Sequence, residues 1–249
     1  MRNPLLGFTA LIWYKHRQLL LWLLLGFLVP WFVFLKVAQE LWEDKGFPID
    51  QLILEQVHAH HSIGQDALAL GLAQVGGPLW MPVLELILMA GLLLAGYRRA
   101  ALFVLLSTGG AALLNLFVKF MLARSRPQVL WVGAALDSYS FPSGHAMAAA
   151  ALALTVAILL WSTRARWLAV TLGVAWMLLM GWSRVYLGVH FPSDVLAGWV
   201  GSIGWVGGVH LLFSRDADQV RTLWGDARLY WSNERLPANT TATSTSVNG

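Results

Sequence analysis

The sequence predicts an all-α polytopic membrane protein, with six transmembrane helices in one bundle and interfacial helices between the first and second spans. Three observations predict it. Of 249 residues, 57% are hydrophobic and only 12% charged, about half the ~25% charged expected of a soluble domain. The apolar residues fall into six long runs, each near the ~20 residues that a membrane-crossing helix needs. Most of the basic residues collect at alternate ends of those runs, as the positive-inside rule requires.

The first run, Leu19–Leu35, follows Lys15, His16 and Arg17. It is long for a signal-peptide core and no small-x-small cleavage site follows, so it reads as a retained helix. The acidic stretch after it carries Glu40, Glu43, Asp44, Asp50, Glu55 and Asp66 against Lys36 and Lys45. This suits an external loop, and its Leu52–Leu72 segment suits one or two helices at the interface. The later runs are Leu79–Gly96, Ala100–Lys119, Ala146–Trp161, Trp167–Trp182 and Val195–Phe213. Residues 1–236 form the membrane domain, and the small, polar residues 237–249 form a disordered tail. Asn239-Thr240-Thr241 matches an acceptor pattern for glycosylation, but a cytoplasmic tail never meets that enzyme.

Four places hold 11 of the 17 basic residues: Arg2, Lys15 and Arg17; Arg98 and Arg99; Arg164 and Arg166; and Arg215, Arg221, Arg228 and Arg235. With six spans these places share one side, assigned to the cytoplasm. Both termini are then cytoplasmic, in the plasma (inner) membrane. The net charge of +4 is too small and scattered for a nucleic-acid groove. The absence of cysteine excludes disulfides, zinc ribbons, Fe–S clusters and thiol catalysis. The Gly-Gly pairs at 76–77, 109–110 and 207–208 suit turns or close helix packing, since none follows a strand.

Other basic residues oppose the trend. Lys119, Arg124, Arg126 and Arg184 end the third and fifth spans on the external side. Ser143, Gly144 and His145 open the fourth span there, and His190 and Asp194 open the sixth. Three distant stretches therefore bring polar groups to one membrane face.

The chemistry of each group is suggestive. Lys119 and Arg126 are two helical turns apart, on one face of a helix that Pro127 stops. Both suit an anion, and Arg clamps phosphate oxygens bidentately. Phe141-Pro142-Ser143-Gly144-His145 reads as a helix start, with Ser143 as cap and Gly144 letting backbone N–H groups approach an anion. Pro192 suits the first turn of the last helix. Asp194, four residues after His190, is placed to accept from one imidazole nitrogen and leave the other basic. Cations, an anion-binding helix start, two histidines and a carboxylate suit phosphoryl transfer. A metal site is disfavoured, because Lys119, Arg126 and Arg184 would repel a divalent cation.

Lys119-x6-Arg126-Pro127, Pro142-Ser143-Gly144-His145 and Ser183-Arg184-x5-His190-x3-Asp194 together resemble the three-part signature of the type 2 phosphatidic acid phosphatase superfamily, the membrane lipid phosphate phosphatases. The three parts are complete, in order, and spread over 76 residues. The resemblance implies a six-helix bundle whose site faces the periplasm or exterior. His190 would be the nucleophile that forms a phosphohistidine, Asp194 its orienting partner, and His145 the acid for the leaving group and base for the hydrolytic water. Lys119, Arg126, Ser143, Gly144 and Arg184 would bind phosphate, with no cofactor or metal. Substrates implied are phosphatidate, phosphatidylglycerophosphate, diacylglycerol diphosphate and isoprenoid diphosphates such as undecaprenyl diphosphate. The short Arg126–Pro142 connection points away from those bacterial phosphatidylglycerophosphate phosphatases that carry a long insert and leaves small undecaprenyl-diphosphate phosphatases of the same superfamily open. A phosphotransferase using the same phosphohistidine remains open, as does a binder or transporter of phosphate lipids that performs no chemistry.

Other residues carry blander expectations. Arg124, outside the signature, is read as a solvated or headgroup-facing cation. His58, His60 and His61 are read as incidental to a wet loop rather than a metal tract. Glu85 is read as a first-turn carboxylate that complements its helix N-terminus. His16 and His210 fall near the cytoplasmic face. Trp22, Trp31, Trp161, Trp167 and Trp182 are read as an interfacial aromatic belt.

Overall fold

A computed structural model describes residue 17 and residues 20–44, 46–127 and 138–213. Among these every regular element is helical: α1 (Leu20–Glu43), α2 (Pro48–Ala59), α3 (Ile63–Val75), α4 (Trp80–Leu94), α5 (Arg98–Leu122), α6 (Gly144–Leu159), α7 (Arg166–Tyr186) and α8 (Pro192–Phe213). Single π turns interrupt α1 at Leu24–Leu28 and α5 at Leu105–Gly109. Helix starts follow local chemistry. Pro48 opens α2, where its missing N–H costs nothing, and the Ser62 side chain caps α3 by accepting from Gln65 N.

Helices α1, α5, α7 and α8 are each long and apolar enough to cross a membrane, and α3 and α4 qualify together as a pair bent by 47°. The remaining apolar helix, α6, is 16 residues long. It packs against both α7 and α8 at the centre of the bundle. Its buried Ala146, Ala149, Ala150 and Ala151 let those neighbours close on it, and small residues perform this role where lipid removes the hydrophobic drive between helices. At Gly207 of α8 a Cβ would lie 1.8 Å from the Gly26 carbonyl oxygen of α1, so backbone meets backbone there. Outward faces are apolar: Leu113, Phe117 and Phe120 of α5 are more than half exposed, as a lipid-facing surface requires.

The segment between α1 and α4 forms two helices that pack on the bundle: α2 touches α7 and α8, and α3 packs along α7 before Gly76 and Gly77 bend the chain into α4. Some expectations are corrected. Helix α5 ends at Leu122, because Ala123 turns left-handed at φ 44°; Lys119 and Arg126 therefore do not share a helix face. Glu85 lies beyond the first turn of α4. Trp31 faces inward, against Phe34 and Gly204, and Trp22 packs on His210, which is itself buried. Lys15, His16, the basic residues beyond 213 and the tail at 237–249 lie outside the described residues.

Candidate active site

Three chain segments meet at the end of the bundle where α5 stops and α6 and α8 begin. The join between the last two is direct, with Ser143 N donating to the Asp194 carbonyl at 3.0 Å. Ser143 has extended backbone and occupies the N-cap position of α6, yet its hydroxyl makes no capping bond. The expected cap is thus corrected: Ser143 Oγ is buried without a hydrogen-bond partner among the described residues. Beneath this start, Asn115 Nδ2 donates to the Pro142 carbonyl at 3.1 Å, and Asn115 Oδ1 would lie 3.2 Å from a Cβ on Gly144. Asn115 therefore fixes the loop from below, while the N-terminus of α6 keeps its dipole available to an anion.

The αL turn at Ala123 sends the chain back across the site, and backbone bonds hold it there. Ser140 N donates to Arg124 O at 2.8 Å and Ser140 Oγ to Ser125 O at 2.9 Å. From this strap Arg126 reaches two loops. Its Nε donates to Ser138 O at 2.8 Å and its Nη1 to Val189 O at 2.6 Å, with the same Nη1 3.2 Å from His190 Nε2. Lys119 Nζ donates to Tyr139 O at 2.9 Å. Burial lowers the Arg126 pKa, against the pull of Asp194.

His190 is 2% exposed and Asp194 fully buried. Asp194 sits in the first turn of α8, where its Oδ2 accepts from Phe191 N at 2.9 Å, a carboxylate reaching back as in a capping box. The same oxygen faces His190 Nδ1 at 3.4 Å, which turns Nε2 toward Arg126. Burial, the largest influence, pushes His190 down to about 4; Asp194 opposes this and the charges of Arg126 and Lys119 reinforce it. Burial thus favours the neutral ring.

Opposite, Arg184 is 4% exposed on α7. Its Nη1 stands 3.4 Å from His145 Nε2, and its Nη2 is buried with no partner among the described residues. His145 Nε2 also faces the Ala73 carbonyl of α3 at 3.2 Å, so this ring nitrogen has both a donor and an acceptor beside it. Ser183 Oγ donates to Met180 O at 2.8 Å and accepts from Arg184 Nε at 3.3 Å.

Arg124 overturns its expected solvated role. Its side chain is 11% exposed and bridges two carboxylates, Asp194 Oδ1 at 2.6 Å and Asp50 Oδ2 at 2.9 Å. Its guanidinium lies 4.0 Å from the Phe191 ring centroid. Sequence reasoning missed Asp50, Ser193 and Asn115. Asp50 was one acid among six in a loop, and nothing in spacing alone links it to residue 194. His58 and His61 stack and His60 bonds its own helix. Among the described residues no three His, Cys, Asp or Glu side chains are grouped to hold a metal.

Fold and site together define a helical protein with helices of membrane-crossing length, in which cations, two histidines and a buried carboxylate gather at one end of the bundle. The family model described as PAP2 superfamily matches residues 100–218. An undecaprenyl-diphosphatase of Sulfolobus acidocaldarius is 33% identical over 126 residues, covering 49% of this chain and 57% of that protein. A phosphatidylglycerophosphatase B of Bacillus subtilis is 36% identical over 136 residues, 51% of this chain and 65% of that protein. Each match thus covers less than two thirds of the relative. The crystal structure of a transmembrane PAP2-type phosphatidylglycerolphosphate phosphatase from Bacillus subtilis superposes with a TM-score of 0.63 at 27% identity, covering 77% of this chain and 95% of that one.

Proposed function

We propose that the protein is a membrane lipid phosphatase that hydrolyses a lipid phosphomonoester or diphosphate at the external membrane face through a phosphohistidine on His190. The observation that carries this reading is a pair of buried, unpartnered polar groups, Ser143 Oγ and Arg184 Nη2, beside a neutral histidine whose Nδ1 faces a carboxylate. Buried donors are costly to leave unmade, and phosphate oxygens would satisfy them.

In the first step the lone pair of His190 Nε2 attacks phosphorus. The bond to the leaving oxygen breaks as His145 supplies that oxygen with a proton. Lys119, Arg126, Arg184 and the N–H groups opening α6 stabilise charge on the equatorial oxygens. Water then attacks the phosphohistidine as His145 takes its proton, releasing phosphate and restoring His190. Asp194 holds the Nδ1–H tautomer throughout.

Six helices would cross the membrane, with α4 and α6 as the shortest at 15 and 16 residues and the bend at Gly76 leading into α4. The ends bearing Arg98, Arg99, Arg164 and Arg166 would face the cytoplasm, as would both termini, in the plasma membrane. The lipid tail would enter between helices and place its phosphate at the interface. Names of relatives favour undecaprenyl diphosphate and phosphatidylglycerophosphate as the first substrates to assay.

The test is phosphate release from a panel of lipid phosphates by protein in detergent with excess chelator, comparing wild type with His190→Ala. Release by wild type alone, with 32P trapped on histidine after an acid-avoiding quench, supports the reading. Activity that survives the substitution or disappears with chelator overturns it. Release that depends on an added lipid acceptor would instead establish a phosphotransferase.

A further inference from the structure

We infer that Asp50 and Arg124 are positioning residues for the reaction, setting the orientation and effective charge of Asp194 and through it the reactivity of His190. This rests on the phosphohistidine reading above. Asp50 lies outside the matched residues 100–218, so the inference gives the external helix α2 a part in the chemistry.

The two oxygens of Asp194 have separate partners. Oδ1 takes Arg124 Nη1 at 2.6 Å, whereas Oδ2 takes Phe191 N at 2.9 Å and faces His190 Nδ1 at 3.4 Å. Fixing both oxygens fixes the carboxylate plane, which sets the imidazole tautomer and ring direction. Arg124 is itself fixed from three sides: Asp50 by its Nη2, Ser193 Oγ and Asp194 by its Nη1, and the Phe191 ring by its face. Asp50 is 2% exposed and completes the arrangement by accepting from Ser193 N at 2.9 Å and from Ser193 Oγ. An acid on α2 thereby ties down both Arg124 and the first turn of α8, the turn that carries Asp194.

Charge makes the arrangement a tuner as well as a clamp. One cation is shared between two buried carboxylates, so Asp50 decides how much of Arg124's charge acts on Asp194. Committed in this way, Arg124 has little left for a phosphate, unlike Arg184. His190 faces Asp194 of α8, Arg126 and Lys119 from α5 and the segment after it, and His145 of α6, and its backbone N–H bonds Arg184 O of α7. Arg124 and Asp50 stand behind Asp194, and their far side lines a cavity of about 300 Å³, which gives substituted side chains room.

Opposite shifts are expected from the two residues. In Arg124→Gln, Asp194 keeps more of its charge and stabilises the His190 imidazolium, so the acidic limb of kcat/KM moves to higher pH. In Asp50→Asn, Arg124 acts on Asp194 alone, and the limb moves lower. Loss of kcat of about 10²-fold is expected for Arg124→Gln and about tenfold for Asp50→Asn, with KM within about threefold, the pattern of a lost transition-state interaction. Arg124→Lys should recover part of the kcat and return the limb toward wild type; it also serves if Arg124→Gln does not fold. Folded variants with wild-type kcat, or with reduced kcat and limbs unmoved or moved together, overturn the inference. If His190→Ala remains active, the phosphohistidine reading fails and this inference with it. If His190→Ala is inactive while Asp50→Asn and Arg124→Lys match wild type in rate and pH profile, this inference alone fails.

Discussion

His190 Nε2 stands 3.2 Å from Arg126 Nη1. A guanidinium donates and never accepts, so this nitrogen bears the lone pair and the ring proton lies on Nδ1, facing Asp194. Burial pushes the ring down to about 4 from 6.5. In the proposed mechanism the neutral ring is the nucleophile, so the lowered value preserves activity as pH falls, until the ring protonates near 4. The proposal therefore expects the acidic limb in kcat/KM near pH 4, once the substrate's own phosphate ionisation near ~6 is divided out. A limb between 6 and 7 that persists after that correction would contradict the buried, neutral His190.

Arg184 Nη2 and Ser143 Oγ are buried without partners among the described residues, and a phosphate bound there should stabilise the fold. At ~100 times its Kd a ligand adds about 2.7 kcal/mol, or roughly 5–10 °C in Tm for a chain of this size. Thermal unfolding in detergent, titrated with inorganic phosphate, should show that rise in wild type and little of it in Arg184→Ala. An equal rise in the variant would mean that phosphate stabilises the protein from elsewhere.

Signature residues were legible in sequence because chemistry constrains their type and spacing. His190 and Asp194, four apart across a helix start, could be paired from the chain alone, and the fold places them 3.4 Å apart. What could not be read is what depends on chain reversal. The αL residue Ala123 breaks the two-turn spacing of Lys119 and Arg126, and it turns Arg124 inward onto Asp50, 74 positions away. No local pattern marks a non-glycine αL residue. Helix α6 illustrates a different limit: its run is apolar and Ala-rich, but only the packing of α7 and α8 around it shows why small residues belong there.

Ala123 itself offers a test of that reversal. Its φ of 44° places a Cβ where an L-residue is strained by roughly 1–2 kcal/mol, and its side chain is exposed, so no packing is lost with the methyl. Ala123→Gly is expected to stabilise the protein by about 1 kcal/mol, after the added entropy of the unfolded glycine is subtracted. A denaturant or thermal midpoint would show it. A loss of stability would mean that the helix does not end in a left-handed residue here.

Close approach of α1 and α8 provides the sharpest packing prediction, because both contacting groups are backbone. A Cβ on Gly207 would stand 1.8 Å from the Gly26 carbonyl oxygen, and neither helix has a rotamer that relieves it. Gly207→Ala must part the helices and is expected to cost about 1–3 kcal/mol or more. Gly71 of α3 provides the contrast, since a Cβ there meets nothing within 4 Å. Gly71→Ala should leave packing intact and gain roughly 0.5–1 kcal/mol from helix propensity. Folded yield and unfolding midpoint, measured side by side, should move in opposite directions for the two substitutions. Equal and small effects would show that α1 does not seat against α8 through glycine, and the bundle would then need another reason for Gly207 to lack a side chain.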